Sequence, residues 1–105
     1  MPAQPKNIEP DVVELGPALS ALADPHRRRV IRDLVHDADG SERSCTSFGL
    51  DLSKSTRSHH FKVLREAGLV RQVDHGNWSG VTLRRAELNQ QLPGLLDLIG
   101  SEPAD

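Results

Sequence analysis

The chain of 105 residues has a single cysteine and no long uninterrupted apolar run. With Cys45 alone no internal disulfide can form, and without an apolar run no segment can span a bilayer. The first residues also lack the apolar stretch of a signal peptide, so we expect a cytoplasmic protein with no membrane partner. The 36% of hydrophobic residues suffice for one small core, which dimerisation would help to stabilise.

The usual groupings of catalytic residues are missing as well. The sequence contains no recognisable Ser/His/Asp constellation, glycine-rich phosphate loop or pair of carboxylates in a cleft. We therefore expect no enzymatic activity and no cofactor.

Charge is segregated along the chain, although the formal net charge is only −2. Residues 25–85 carry 12 cationic side chains against seven carboxylates, a net charge of +5, whereas residues 1–24 and 86–105 are acidic. This pattern favours acidic ends and a basic working face, the alternative being a random surface mosaic.

Local signals divide the chain into a flexible arm over 1–10, a domain over 11–99 and a frayed tail over 100–105. Within the domain, a helix is expected to begin at Asp11–Leu15, to be interrupted at Gly16–Pro17 and to resume to Ala23. Asp24 and Pro25 are a helix start signal, since Asp caps free N–H groups and Pro suits the first position. The helix over 25–37 follows.

The second half of the domain predicts two further helices, a hairpin and a last helix. Ser44 would cap a short helix to Phe48, and Ser53 a helix that ends at Ala67–Gly68 with Phe61 and Leu64 inward. Strands are expected over 69–74 and 78–84, and a helix over 86–99 that Pro93–Gly94 breaks. The fold class is thus α+β, mainly α with a β-hairpin, in the order α-α-α-α-β-β-α.

Two segments resemble the arsenical-resistance repressor (ArsR) family of winged helix-turn-helix regulators. LADPHRRRVI at 22–31 is similar to the family's LADPTRRRIL, and LSKSTRSHHFKVLREAGLV at 52–70 to its recognition segment LSQSTVSHHLKVLREAGLV. The match covers about 17–99. The resemblance implies a homodimer whose terminal helices pair, and a repressor that blocks its promoter.

The chain departs from the family at its metal sites and at one position of the recognition segment. The Cys-x-Cys of the founding metal sensors is replaced by a region with Cys45 alone, and the C-terminal helix lacks His. The sequence therefore predicts no metal site. Arg57 stands where the family has Val, and either snorkels to a phosphate or alters how the helix is seated.

The resemblance places the helix over 53–67 in the major groove. Its short polar side chains let the backbone approach the bases, and flanking cations meet phosphates. The predicted base-reading residues are Lys54, Ser55, Ser58 and His59; the predicted phosphate partners are Arg57, Lys62, Arg65 and Arg71. Thr56 either touches a phosphate or stabilises the first turn, and Arg65 could instead lie on a solvated charged face.

Other residues leave two interpretations open. Arg27, Arg28 and Arg29 either pair structurally or contact DNA, and Trp78 either stacks on the DNA backbone or packs beneath the hairpin. Cys45 is a small buried hydrophobe or a redox switch. His60 is expected to have a structural role. A metal site shared by His59 and His60 is not expected, because adjacent helix residues point about 100° apart and cannot easily bind one ion.

An apolar stripe on the last helix needs a partner. Together with three leucines of the N-terminal helix, this stripe is expected to form either the dimer interface or part of the core of its own subunit. The predicted dimer residues are Leu15, Leu19, Leu22, Leu88, Leu92, Leu95 and Ile99.

These features predict a dimeric, sequence-specific DNA-binding repressor that reads an inverted repeat, with regulation by a small-molecule effector of unidentified chemistry. The alternative is a winged-helix module that binds proteins and not DNA, which the net charge of −2 and the acidic ends mildly favour.

Overall fold

A computed structural model describes residues 4–5 and 10–103 as helices packed on an antiparallel sheet. Across these ranges no helix is both long and apolar enough to cross a bilayer. The strand order is β1-β3-β4-β2, with every pair antiparallel. The elements are β1 Gln4–Pro5, α1 Leu15–Ala23, α2 Pro25–His36, β2 Glu42–Ser44, α3 Lys54–Glu66, β3 Val70–Asp74, β4 Ser79–Leu83, α4 Arg85–Gln91 and α5 Leu95–Gly100. The α+β class is therefore confirmed.

The core is built around α2 and the inner face of α3. Val30, Ile31 and Leu34 of α2 are almost completely buried, as are Phe61 and Leu64 of α3. These are the positions that the apolar spacing of the sequence marks as inward. Valines of β3 and β4 close the core from the sheet side.

The interruption predicted at Gly16–Pro17 is wrong. Helix α1 begins at Leu15 and runs through both residues, because Pro17 lies in the first turn, where its missing N–H has no intrahelical partner. The preceding segment is not helical. The Gln91 side chain holds it, accepting from the Val13 amide at 2.7 Å and donating to the Asp11 carbonyl at 3.0 Å.

The short helix predicted over 44–48 is also wrong. Glu42–Ser44 pair with β4 as a strand, and residues 45–48 form a turn. The Ser44 hydroxyl does accept a hydrogen bond from the Thr46 amide, and the Ser47 hydroxyl donates to the Ser44 carbonyl. These side-chain bonds stabilise a turn and compete with a continued helix.

The break predicted in the last helix is confirmed. Helix α4 ends at Gln91, and α5 starts after Gly94, whose φ of +90° suits glycine. The predicted boundaries of the arm, the domain and the tail stay predictions. Residues 1–3, 6–9 and 104–105 lie outside the described residues, while Gln4–Pro5 pair with β3.

The sharp exit from α3 depends on Gly68, whose φ is +82°. A Cβ there would lie 3.0 Å from Arg84 Nη1, 3.1 Å from Pro10 Cγ and 3.2 Å from Val13 Cγ2. Arg84 is buried and donates to the Gly68 carbonyl at 3.0 Å and to the Pro10 carbonyl at 2.9 Å. The glycine thus makes room for the contact that holds the N-terminal segment against the end of α3.

We expect Gly68→Ala to destabilise the protein more than Gly40→Ala. Gly40 has a similar φ of +78°, but no atom lies within 4 Å of the point where its Cβ would stand, so its substitution carries only the left-handed backbone cost, roughly 1–2 kcal/mol. Crowding at Gly68 adds about 1–3 kcal/mol. Urea unfolding of both variants measures the difference. Equal losses would show that the contacts around Gly68 yield without cost.

Candidate nucleic-acid interface

A reciprocal hydrogen-bond pair organises the first turn of α3. The Ser53 hydroxyl accepts from the Thr56 amide at 3.2 Å and donates to the Thr56 hydroxyl at 2.9 Å. This N-cap satisfies one of the amide groups that a helix start leaves free. The Thr56 hydroxyl is therefore engaged in the cap, which is one of the two roles that the sequence left open.

The outer face of α3 is exposed along its first two turns. All four predicted base-reading residues, together with Thr56 and Lys62, are exposed: Lys54, Ser55, Ser58 and His59. Phe61 and Leu64 anchor the opposite face in the core. Short hydroxyl groups and two lysines are thus held on a rigid support and face outward.

Two of the predicted phosphate partners on α3 are less accessible than the lysines. Arg65 is half-buried and its Nη1 donates to Gln72 Oε1 at 2.7 Å, which ties the end of α3 to β3. Arg57 is also half-buried and lines a concave surface beside Phe61. Arg71 on β3 is exposed.

The hairpin of β3 and β4 stands beside α3. Its turn is closed by the His75 amide, which donates to the Trp78 carbonyl at 2.9 Å, and by the Gly76 amide, which donates to Asp74 Oδ1 at 2.9 Å. The Trp78 ring stacks on the His75 ring, with 4.4 Å between centroids, and remains 41% exposed. The tryptophan therefore lies on the surface and not beneath the hairpin.

A polar concave surface separates α3 from the hairpin. It has a volume of about 480 Å³ and runs from Lys54 and Arg57 to the Trp78 side of the hairpin. Cys45 lies at its edge, half-buried, where its Sγ accepts from Gln72 Nε2 at 3.5 Å. A shallower depression of about 350 Å³ flanks the other side of the helix, along His59 and Lys62. The exposed face of α3 therefore stands out as a ridge.

The first-turn arginines of α2 have structural partners. Arg27 Nε donates to the Ala21 carbonyl at 2.7 Å, and Arg28 Nη1 donates to the Leu22 carbonyl at 2.8 Å. Both carbonyls belong to the last turn of α1, where the helix dipole favours a cation. This contact explains why cations occupy the N-terminus of α2, and it supports the structural interpretation for these two residues.

His60 connects the same joint to α3. It is 6% exposed, and its Nδ1 lies 3.2 Å from Arg27 Nη1. Burial lowers the pKa of His60 and Arg27 lowers it further, against the opposing effect of Asp24. The pKa of Asp24 is also lowered: burial raises it, but hydrogen bonds from the Arg27 and His26 amides outweigh burial. His60 is thus buried and neutral, as a structural role requires.

The predicted dimer residues differ in accessibility. Leu88 is completely buried in its own chain, so the alternative of a core role holds for it and it cannot reach a partner. Leu22 and Ile99 are nearly buried, and Leu92 and Leu95 are half-buried. Leu15 and Leu19 are 54% and 51% exposed.

Leu98, the most exposed large hydrophobic residue that the structure describes, at 70%, was not predicted from the sequence. It lies with Leu19, Leu95 and Ile99 around a groove of about 240 Å³ between α1 and α5. The contact between His75 Nε2 and Glu42 Oε2, 2.6 Å apart, joins the hairpin turn to β2 and was not predicted either, because the two residues are distant in the sequence.

Known proteins share this arrangement. A helix-turn-helix domain family matches residues 22–73. The chain is 38% identical, over 75% of its length and 79% of the relative's, to YceK of Bacillus subtilis (strain 168), which is described as an uncharacterized HTH-type transcriptional regulator. A solved structure, an ArsR-like transcriptional regulator from Rhodococcus sp. RHA1, matches 80% of this chain and 77% of that one with a TM-score of 0.59 and 26% identity.

The capped polar helix, the hairpin beside it and these likenesses define the class of protein, a DNA-binding helix-turn-helix regulator of transcription. Proteins of this class are generally not enzymes. Within the class, the chain belongs to the ArsR-type winged helix-turn-helix regulators, in whose fold the β3–β4 hairpin is the wing.

We expect Ser53→Ala to destabilise the protein by about 0.5–2 kcal/mol, because the first turn of α3 loses its cap. Ser53→Asn is the matched control, since asparagine caps about as well as serine and should leave stability nearly unchanged. Urea unfolding followed by circular dichroism measures both. An alanine variant as stable as the asparagine variant would show that the cap contributes nothing.

Proposed function

We propose that this protein is a dimeric, sequence-specific repressor that binds an inverted-repeat operator with α3 of each subunit in the major groove. The wing then lies over the flanking backbone or minor groove, and the two recognition helices lie about 34 Å apart, one turn of DNA. An effector of unidentified chemistry would shift the dimer between shapes that do and do not fit the operator.

The observation that carries this proposal is the exposed ridge of α3. Lys54, Ser55, Ser58 and His59 project from the first two turns, where a helix entering the major groove meets base edges. Lysine can donate to guanine acceptors, and serine can contact either kind of base edge. Lys62 and Arg71 are exposed beside the ridge and suit phosphates.

The exposed apolar surface of α1 and α5 supports the dimer. Leu15, Leu19 and Leu98 are each more than half exposed, and the groove between the two helices is mostly apolar. Contiguous apolar surface of this kind marks an association site, and a twofold pairing would bury the same patch of both subunits.

The proposed roles predict different losses for Lys54→Ala and Arg71→Ala. The first should reduce discrimination between the operator and a scrambled duplex by about 1–3 kcal/mol, as expected for a lost base contact. The second should weaken binding to both duplexes alike and reduce the salt slope by about 1 for each subunit, or about 2 for the dimer. Selection from random DNA supplies the operator, and fluorescence anisotropy at several salt concentrations measures affinity.

Identical behaviour of the two variants on both duplexes would overturn the assignment of roles. If the unaltered protein's affinity did not change with salt, the alternative of a protein-binding module would be favoured, because every phosphate contact releases counterions.

For the dimer, we expect Leu19→Asp to shift the protein to monomers, since it would place a charge in the apolar contact of α1 and α5. Val12→Asp is the matched control, because Val12 is 67% exposed but lines a separate depression beside Glu66 and Ala67. Sedimentation velocity of both variants and of the unaltered protein gives the masses. A dimer that survives Leu19→Asp would place the interface elsewhere.

A regulator of transcription acts in the compartment that holds the DNA. For this chain we propose the cytoplasm, in agreement with the expectation from its single cysteine.

A further inference from the structure

Three potential metal ligands meet where α1, α2 and α3 converge. The carboxylate of Asp24 and the imidazoles of His26 and His60 each offer a ligand atom, and these three atoms all lie within 4.8 Å of one another. His60 is buried, Asp24 is half-buried and His26 is exposed. We propose that this cluster binds a divalent transition-metal ion of the zinc type.

The donor set suits such an ion. Two imidazole nitrogens and one carboxylate oxygen are ligands that Zn²⁺ takes in open sites, with water in the fourth position. The exposed side of His26 leaves that position to solvent. Ligands around tetrahedral zinc lie roughly 3.3 Å apart. Asp24 Oδ1 already lies 3.6 Å from His26 Nδ1, and the other separations, which are at most 4.8 Å, must close when an ion binds.

The surroundings of two ligands favour metal binding. Metal binding needs a neutral imidazole and an ionised carboxylate. Burial of His60 disfavours its charged form, and the two amides that hydrogen-bond Asp24 Oδ1 at 2.8 and 3.1 Å favour an ionised carboxylate. Since those bonds use one oxygen, the carboxylate can keep capping α2 while its second oxygen binds the ion.

Arg27 is the competitor for this site. Its Nη1 donates to His60 Nδ1, so an ion cannot use Nδ1 while this bond exists. An ion on Nε2 would leave the ring proton on Nδ1, facing the same donor. In either case the Arg27 guanidinium must move away from His60, while its Nε can keep the bond to the Ala21 carbonyl. The ion and Arg27 thus exclude each other at His60.

His26 makes the site particular to this chain. In the segment LADPHRRRVI it stands where the family segment has threonine, whereas Asp24 and the His-His pair match the family. The cluster also differs from the two family sites that this chain lacks, since it uses neither the Cys45 region nor the terminal helix. This cluster was not predicted from the sequence, because its residues lie on α3 and at the joint of α1 and α2, about 35 positions apart in the chain.

The test is a titration of the full chain, without DNA, with Co²⁺ and with Zn²⁺ in competition with a chromophoric chelator. We expect one ion per chain and visible Co²⁺ absorption typical of a tetrahedral or five-coordinate site. His26→Thr should weaken binding at least tenfold, because loss of even an outer partner of a metal ligand costs 10–100-fold. His36→Thr, another exposed histidine of α2 but outside the cluster, should bind as the unaltered protein does.

Arg27→Gln tests the competition separately, and we expect it to bind the ion more tightly than the unaltered protein. The proposal is overturned if the unaltered protein binds no stoichiometric ion, or if His26→Thr and His36→Thr weaken binding equally. An Arg27→Gln variant that folds but binds more weakly would overturn the displacement of Arg27.

A consequence for regulation rests on the proposed function. Because His60 belongs to α3, an ion bound there must change the contact that seats the recognition helix, so Zn²⁺ should change operator affinity at least fivefold. His26→Thr should abolish that response and keep the metal-free affinity. Unchanged affinity with Zn²⁺ bound would refute the coupling, whereas absence of operator binding both with and without Zn²⁺ would refute the proposed function.

Discussion

The joint between α1 and α2 is the constraint on which the arrangement of the helices depends. Asp24 ends α1 and caps α2, while Arg27 and Arg28 return from the first turn of α2 to the last carbonyls of α1. The N-terminus of α2 thereby receives a carboxylate and the C-terminus of α1 receives two cations, which are the charges that the helix dipoles favour. The arginines themselves belong to the first turn of α2, whose dipole disfavours them. Arg27 also contacts His60, so the same joint positions α3. The position of α3 is therefore fixed by groups that do not lie on its exposed face.

The C-terminal helix is held by the same group of residues. Glu102 receives hydrogen bonds from Arg28 Nε at 2.8 Å and from Arg32 Nη1 at 2.9 Å. Because the Arg32 side chain is only 7% exposed, removing this carboxylate would leave a charge in a poorly solvated position. The contact fixes the segment after α5 against α2, which also packs on α1, and the exposed leucines of α1 and α5 line one groove. The proposed dimer surface and α3 are thus positioned by contacts of the same arginines of α2.

Elements with strong local signals could be predicted from the sequence. Asp24–Pro25 and Ser53 mark helix starts, Pro93–Gly94 marks a break, and all three are confirmed. The break predicted at Gly16–Pro17 is wrong because a proline is compatible with the first turn of a helix. Strand β2 was missed because it exists only through pairing with β4, about 40 residues away. The exposed face of α3 followed from helical spacing, but the partners of Arg65, Arg27 and Arg28 did not, since they lie on other elements.

A net charge of −2 is unusual for a DNA-binding protein, and most arginines of the basic segment have partners within the chain. Much of the +5 of residues 25–85 lies in side chains with internal partners: Arg27, Arg28, Arg32, Arg84 and Arg85 all bond to carbonyls or carboxylates of their own chain. The cations exposed on or beside the ridge of α3 are few, chiefly Lys54, Lys62 and Arg71. Non-specific attraction to phosphates scales with the number of such contacts, so it must be modest here. Under the proposed function, tight binding therefore depends on a close fit of the first turn of α3 to base edges, made once by each subunit of the proposed dimer.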